Sequence, residues 1–132
     1  MNNKSILFVC VENAARSQMA EAFFSKYAPE YYQSYSAGTN PSIVINPLVI
    51  QVMKEVGIDL TKQKPKKLSQ DMILRCDKTI NMGCMDKDFC PALFTKNIVD
   101  WKIADPKGKS IEEIRKIRDE IHSKIKELVS TL

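Results

Sequence analysis

Ile6-Leu7-Phe8-Val9-Cys10-Val11-Glu12-Asn13-Ala14-Ala15-Arg16-Ser17-Gln18-Met19-Ala20-Glu21-Ala22-Phe23-Phe24 decides the fold, because its hydrophobic pattern changes period at one place. Residues 6–9 are a short, apolar, β-prone run of the kind that forms a buried parallel strand. From Gln18 onward the apolar positions follow the helical period. Between them Cys10 to Ser17 make a Cys-x5-Arg-Ser loop that passes from strand to helix without a gap. Strand, tight loop and helix N-terminus in this order bring backbone N–H groups to one point, where a tetrahedral anion is held. Arg16 adds a planar guanidinium fork. The candidate anion cradle is therefore Val11, Glu12, Asn13, Ala14, Ala15, Arg16 and Ser17, and its positive field favours the thiolate of Cys10, the candidate nucleophile. Ser17 is placed either to donate to that sulfur or to cap the helix. The plain alternative for Cys10, a small residue ending a core strand, does not account for Arg16 and Ser17.

Working outward, the pattern predicts strands near residues 4–10, 31–36, 77–82 and 97–101, with helices near 16–28, 46–57, 69–75 and 110–130. Strand and helix alternate. The expected fold is α/β: a single-domain, four-stranded parallel sheet with helices on both faces, right-handed crossovers, and ligands at the carboxyl ends of the strands. Cys10, Cys84 and Asp105 each follow a predicted strand. The last helix carries Ile111, Ile114, Ile117, Ile121, Ile125, Leu128 and Leu132 at spacings of three and four, which makes them a core stripe.

With 132 residues, 44% of them hydrophobic, residues 1–132 suffice for one ordinary domain. No stretch resembles a signal h-region or reaches transmembrane length, so no membrane contact and a cytoplasmic location are expected. Four cysteines in that setting read as reduced, catalytic or metal-bound. Structural zinc is not expected, since Cys76, Cys84 and Cys90 lack a Cys-x2-Cys knuckle, and Cys76 reads as core packing. The net charge of +4 is modest, but Lys62-Gln63-Lys64-Pro65-Lys66-Lys67 concentrates four lysines in six residues. That run is a solvated loop or a patch that draws in an oxyanion. Without a recognised motif or interleaved aromatics it predicts no nucleic-acid partner. His122, between charged and polar neighbours on the last helix, is expected to be an exposed bystander, which argues against a Cys-His hydrolase.

The loop resembles that of the low-molecular-weight protein tyrosine phosphatase superfamily, Cys-x-x-Asn-x-x-Arg-Ser after the first strand. Cys10, Asn13, Arg16 and Ser17 occupy its fixed positions. Tyr35-Ser36-Ala37-Gly38 looks like the superfamily's Ser-Ala-Gly turn, which implies that Ser36 supports Asn13 alongside Ser17. Asp105-Pro106 stands where the loop aspartate belongs. Two features resemble the thioredoxin-coupled arsenate reductases within that superfamily. One is Cys84-Met85-Asp86-Lys87-Asp88-Phe89-Cys90-Pro91, and the other is Lys107-Gly108-Lys109 where the phosphatases place a pair of tyrosines. The resemblance runs from Ile6 to the C-terminal helix.

That resemblance implies arsenate as substrate, with phosphate or sulfate as competing oxyanions, and a thioredoxin-like reductant as partner. It implies a relay in which Cys10 attacks arsenic, Asp105 protonates the leaving oxygen, Cys84 attacks Cys10, and Cys90 then takes the disulfide. A helical segment from Cys84 to Cys90 would separate their sulfurs by about 9 Å of rise and about 240° of rotation. A Cys84–Cys90 disulfide would then require the segment to loop out. No metal and no organic cofactor are expected. Some reductases of the family bind potassium through an asparagine, a serine and a later threonine and aspartate; Asn13 and Ser36 match, but Lys64 and Lys66 stand at the later pair, so an ammonium is expected to take the cation's place. Ala15 replaces a non-catalytic cysteine of many relatives. A monomer is expected. Two alternatives stay open: a phosphatase of the same fold, and a non-enzymatic module using Cys10 for redox sensing or phosphoryl carriage.

Overall fold

The computed structural model describes residues 4–83 and 98–132. The apolar run at the head of the chain forms β1 (Lys4–Cys10), followed by α1 (Arg16–Tyr27), β2 (Tyr32–Gly38), α2 (Pro47–Lys54), α3 (Gln70–Arg75), β3 (Lys78–Asn81), β4 (Ile98–Asp100) and α4 (Ile111–Ser130). The strands lie in the order β2-β1-β3-β4, and every pairing is parallel. β1 has a strand on each side, so Ile6 to Val9 are fully buried, as a continuous apolar run requires. β2, at an edge, instead alternates exposed and covered residues until Ser36.

Alternation along β1 sorts its side chains to two faces. Ile6, Phe8 and Cys10 join the larger core with Phe23 and Phe24 of α1, Val49, Val52 and Met53 of α2, and the stripe of α4. Leu7 and Val9 pack with Ala37, Ile73 and Cys76 beneath α3. Among the described residues, three helices thus cover one face and α3 the other. Cys76 is core packing, in keeping with its reading, and Cys10 points to the face that holds α1.

α2 ends sooner than its apolar pattern suggests. Gly57, at φ +81°, closes it: the Gly57 N–H donates to the Lys54 carbonyl and the Ile58 N–H to that of Met53, the paired bonds of a Schellman motif. α4 is capped by Ser110, whose hydroxyl accepts from the Glu113 N–H at 3.2 Å, with Glu112 and Glu113 in the first turn at the positive helix end. Ile114, Ile117, Ile121, Ile125 and Leu128 are buried. Each such burial contributes about 1.5–3 kcal/mol. The stripe is shorter than expected, because Ile111 is only partly covered and Leu132, past the helix end, is exposed.

His122 is a correction to the sequence reading. Its ring stacks on Phe23 at 4.5 Å between centroids and 7° between planes, and on Tyr27 at 5.4 Å. Its Nε2 lies 3.0 Å from the Tyr27 hydroxyl. Burial among these rings lowers its proton affinity. The residue is a packing element between α1 and α4, invisible in sequence because its aromatic neighbours come from a helix about a hundred positions away.

Glu55, at the end of α2, ties that helix to α4. Arg115 donates to it at 2.7 Å and Arg118 at 2.8 Å. The hydrogen bond from Arg115, more than that from Arg118, lowers its carboxyl from the ordinary 4.5 to about 2. A carboxyl lowered by folding contributes stability that is fully present above its unfolded value and lost as pH falls through the folded one. Glu55→Gln is therefore expected to flatten the fall in melting temperature between pH 4.5 and 2. Thermal melts across that range check it, and a variant as acid-sensitive as the wild type would refute it.

No helix among the described residues is long and apolar enough to cross a membrane. The chain leaves β1 for β2 on one side and comes back to β3 on the other. The carboxyl ends of β1 and β3 therefore border the crevice where such sheets place ligands.

Candidate active site

Five residues, 11–15, connect β1 to α1, and the segment 39–46 wraps them. The N–H groups of Thr39, Asn40, Ser42 and Asn46 donate to the carbonyls of Cys10, Val11, Glu12 and Ala14 at 2.8–3.3 Å. In a planar trans peptide the carbonyl and the following N–H point in opposite directions. With the carbonyls taken outward, the N–H groups of Val11, Glu12 and Ala15, the lining residues that follow three of them, are directed away from the wrapping segment. They face a pocket of about 110 Å³ lined by Cys10, Val11, Glu12, Ala14, Ala15, Arg16, Asn46, Asp105 and Lys107. Cys10, 2% exposed, lies at its floor. Gly38 pairs with Cys10 across β1 and β2, and a Cβ there would stand 2.5 Å from the Val11 carbonyl oxygen and 2.8 Å from the Asn13 nitrogen. The loop can close over β2 only because position 38 is glycine.

The sulfur of Cys10 lies 2.9 Å from the Ser17 hydroxyl. Ser17 in turn accepts from the Asn13 side-chain nitrogen at 2.6 Å. That nitrogen can only donate, so the hydroxyl proton of Ser17 is left to point at the sulfur. The helix N-cap is Ala15, with no side-chain cap. Of the two roles open to Ser17, it therefore takes the first. Asn13 is held in this orientation because its Oδ1 accepts from Gln18 Nε2 at 2.9 Å and from the Lys66 N–H at 2.8 Å. Asn13 has φ +51°. That backbone costs a non-glycine residue about 1–2 kcal/mol. Three side-chain hydrogen bonds, two of them buried, at about 1 kcal/mol each, offset it.

Arg16 is buried and aimed by two groups of the segment that follows β4. Its Nη1 donates to the Ile103 carbonyl at 3.1 Å, and its Nη2 is 3.9 Å from Asp105 Oδ2. Gly83, at φ +119°, leaves the space the guanidinium fills, for a Cβ there would overlap it. Asp105 stands at the pocket, with its Oδ1 accepting from the Lys107 N–H at 3.0 Å. Lys107 Nζ donates to Glu12 Oε2 at 2.9 Å. That hydrogen bond raises the proton affinity of the ammonium.

The basic segment is partly structural. Its backbone buttresses the loop: Lys66 donates to Asn13, the Lys64 carbonyl accepts from Gln18 at 3.1 Å, and Gly38 pairs with residues 66–68. Ser36 departs from its expected role, because its hydroxyl donates to Glu21 Oε1 at 2.5 Å while Ser17, Gln18 and Lys66 hold Asn13. The Lys66 ammonium lies 3.9 Å from the same Glu21 oxygen and donates to the Lys64 carbonyl at 3.2 Å. The chain's own cation already faces Glu21. These residues do not fit an added potassium ion.

Sequence reasoning missed Gln18, Glu21, Gly83, the Ile103 carbonyl and the Glu12–Lys107 pair. Gln18 carried one signal, a polar residue at the start of an apolar helix face. The Ile103 carbonyl carried none, since backbone groups leave no trace in side-chain identity. Cys84 and Cys90 lie outside the described residues.

The family profile for the low molecular weight phosphotyrosine protein phosphatase matches residues 5–132. An arsenate reductase of Brevibacillus brevis is 37% identical over 131 residues, covering 98% of this chain and 97% of its own. Among solved structures, a thioredoxin-dependent arsenate reductase of Corynebacterium glutamicum superposes with a TM-score of 0.83 at 37% identity. The match covers 98% of this chain and 62% of that longer one. An arginine phosphatase of Geobacillus stearothermophilus superposes with a TM-score of 0.86 at 27% identity, over 97% of this chain and 92% of its own.

Proposed function

Because this chain belongs to the low molecular weight phosphotyrosine protein phosphatase family, and is more similar in sequence to arsenate reductases than to the arginine phosphatase of the same fold, we propose that it is an arsenate reductase. The observation that carries the reading is the buried Cys10 sulfur, facing a Ser17 hydroxyl whose proton Asn13 leaves free for it, beneath inward-turned amides and beside Arg16. A thioredoxin-like dithiol supplies the electrons, as the name of the Corynebacterium relative supports.

Arsenate enters the loop, where the amides and Arg16 offset its charge and the Ser17 hydroxyl points its proton at the attacking Cys10 sulfur. The Cys10 sulfur attacks arsenic, forming an S–As bond, and Asp105 gives a proton to the departing oxygen, which leaves as water. The Cys84 thiolate then attacks the Cys10 sulfur. The S–As bonding pair passes to arsenic, which departs as arsenite, and a Cys10–Cys84 disulfide remains. Cys90 attacks Cys84, restores the Cys10 thiolate and carries the disulfide to Cys84–Cys90, where the external dithiol reduces it. Phosphate and sulfate compete for the same loop, the reaction needs no metal or organic cofactor, and the protein works as a cytoplasmic monomer.

The test is turnover of purified protein with arsenate, thioredoxin, thioredoxin reductase and NADPH. Arsenate-dependent NADPH oxidation that stops when thioredoxin is left out is expected. Hydrolysis of phosphate esters without any arsenate-dependent oxidation would overturn the reading in favour of a phosphatase.

A further inference from the structure

The side chains of Glu12 and Lys107 meet at the pocket, and the chemistry proposed above uses neither side chain. Glu12 lies two residues after Cys10 and Lys107 two after Asp105. The ammonium donates to the carboxylate at 2.9 Å, joining the loop after β1 to the segment after β4. Their side chains are 36% and 72% exposed, whereas Cys10 below is 2% exposed, so the pair stands at the outer rim. The Lys107 N–H also donates to Asp105 Oδ1. The same contact thus anchors the segment that carries Asp105.

An ion pair this exposed contributes little to folding. Its effect on the pocket is larger. A carboxylate at the rim repels an incoming oxyanion unless a cation neutralises it, and Lys107, whose ammonium donates to that carboxylate at 2.9 Å, supplies the cation. The bridge also occupies space. A pocket of about 110 Å³ suits one tetrahedral anion, but an ester group on that anion would have to project past the rim.

We propose that the Glu12–Lys107 ion pair is a specificity-determining latch, which admits a small inorganic oxyanion and turns away phosphomonoesters bearing a bulky alcohol or phenol. The inference rests on the reductase reading and names how that site selects its substrate class.

A single variant, a double variant and a conservative one separate charge from obstruction. Lys107→Met leaves Glu12 uncompensated, so the KM for arsenate and the inhibition constant of inorganic phosphate are expected to rise about fivefold or more, with kcat moving less. Adding Glu12→Gln to that variant removes the stranded charge and keeps the backbone N–H, the part of residue 12 that the cradle uses, so both constants should fall back from the single variant's values toward those of wild type. The double variant has also lost the bridge, and its kcat/KM for p-nitrophenyl phosphate should exceed that of wild type by about tenfold. Lys107→Arg keeps a cation within reach of Glu12 and should behave as wild type, whereas a merely structural role would show as lowered melting temperatures in all variants. Unchanged anion constants in Lys107→Met, or a double variant no better on the aryl ester than wild type, would overturn the latch. A wild type inert toward arsenate would sink the reductase reading instead, and the phosphate and ester measurements would still decide the latch.

Discussion

Replacing Cys10 by serine is expected to abolish arsenate reduction and any phosphate-ester hydrolysis together, each by about 10⁴-fold or more. Both reactions start with attack by the same sulfur, and a serine hydroxyl there would lack a general base, since Ser17 and Asn13 are arranged to donate toward position 10. Cys84→Ser and Cys90→Ser should behave otherwise. Each is expected to stop arsenate turnover while leaving ester hydrolysis largely intact, because only the disulfide relay uses those sulfurs. The two also differ from one another. Cys84→Ser should stall before any disulfide forms, and Cys90→Ser should accumulate a Cys10–Cys84 disulfide that peptide mapping locates. Wild type given arsenate without reductant should end with Cys84 joined to Cys90 and Cys10 as a thiol. Undiminished arsenate reduction in both single variants would remove the relay.

Arg16→Lys should lower kcat/KM for arsenate by about 10²–10³-fold. The guanidinium does two things at once: it offers a planar fork to the anion and spends Nη1 on the Ile103 carbonyl. An ammonium at the end of a shorter, unbranched chain cannot do both. If it turns to the carbonyl the anion loses its clamp, and if it turns to the anion a buried carbonyl is left without its donor. The loss should therefore appear with a lower melting temperature as well. Steady-state kinetics within about twofold of wild type would remove Arg16 from the role of anion clamp.

The parts of the fold legible in sequence are those decided by neighbours in the chain. The run Ile6 to Val9 announces an interior parallel strand, the spacing of Ile114, Ile117, Ile121, Ile125 and Leu128 announces one buried helix face, and both lie where expected. Leu132 and His122 failed for one reason. Periodicity predicts burial only while the helix continues, and polarity predicts exposure only where no partner element covers the residue; here α4 ends at Ser130 and α1 supplies Phe23 and Tyr27.

By itself the sequence determined which groups the candidate site gathers: a cysteine, an asparagine, an arginine and a serine at spacings that a strand-loop-helix turn brings together within eight residues. Local geometry suffices for that, because a short loop between a strand and a helix leaves its backbone few conformations. Tertiary structure alone decided what holds those groups in place. Gln18 and the Lys66 backbone orient Asn13, Gly38 and Gly83 make room for the loop and for Arg16, Ser36 turns to Glu21, and Lys107 reaches Glu12. Lys66, Gly83 and Lys107 come from segments that the sheet order brings to the carboxyl end of β1, and their contacts depend on backbone atoms and empty space as much as on side-chain identity. Hydropathy patterns do not register atoms of that kind, so these contacts became visible only when the strands were laid side by side.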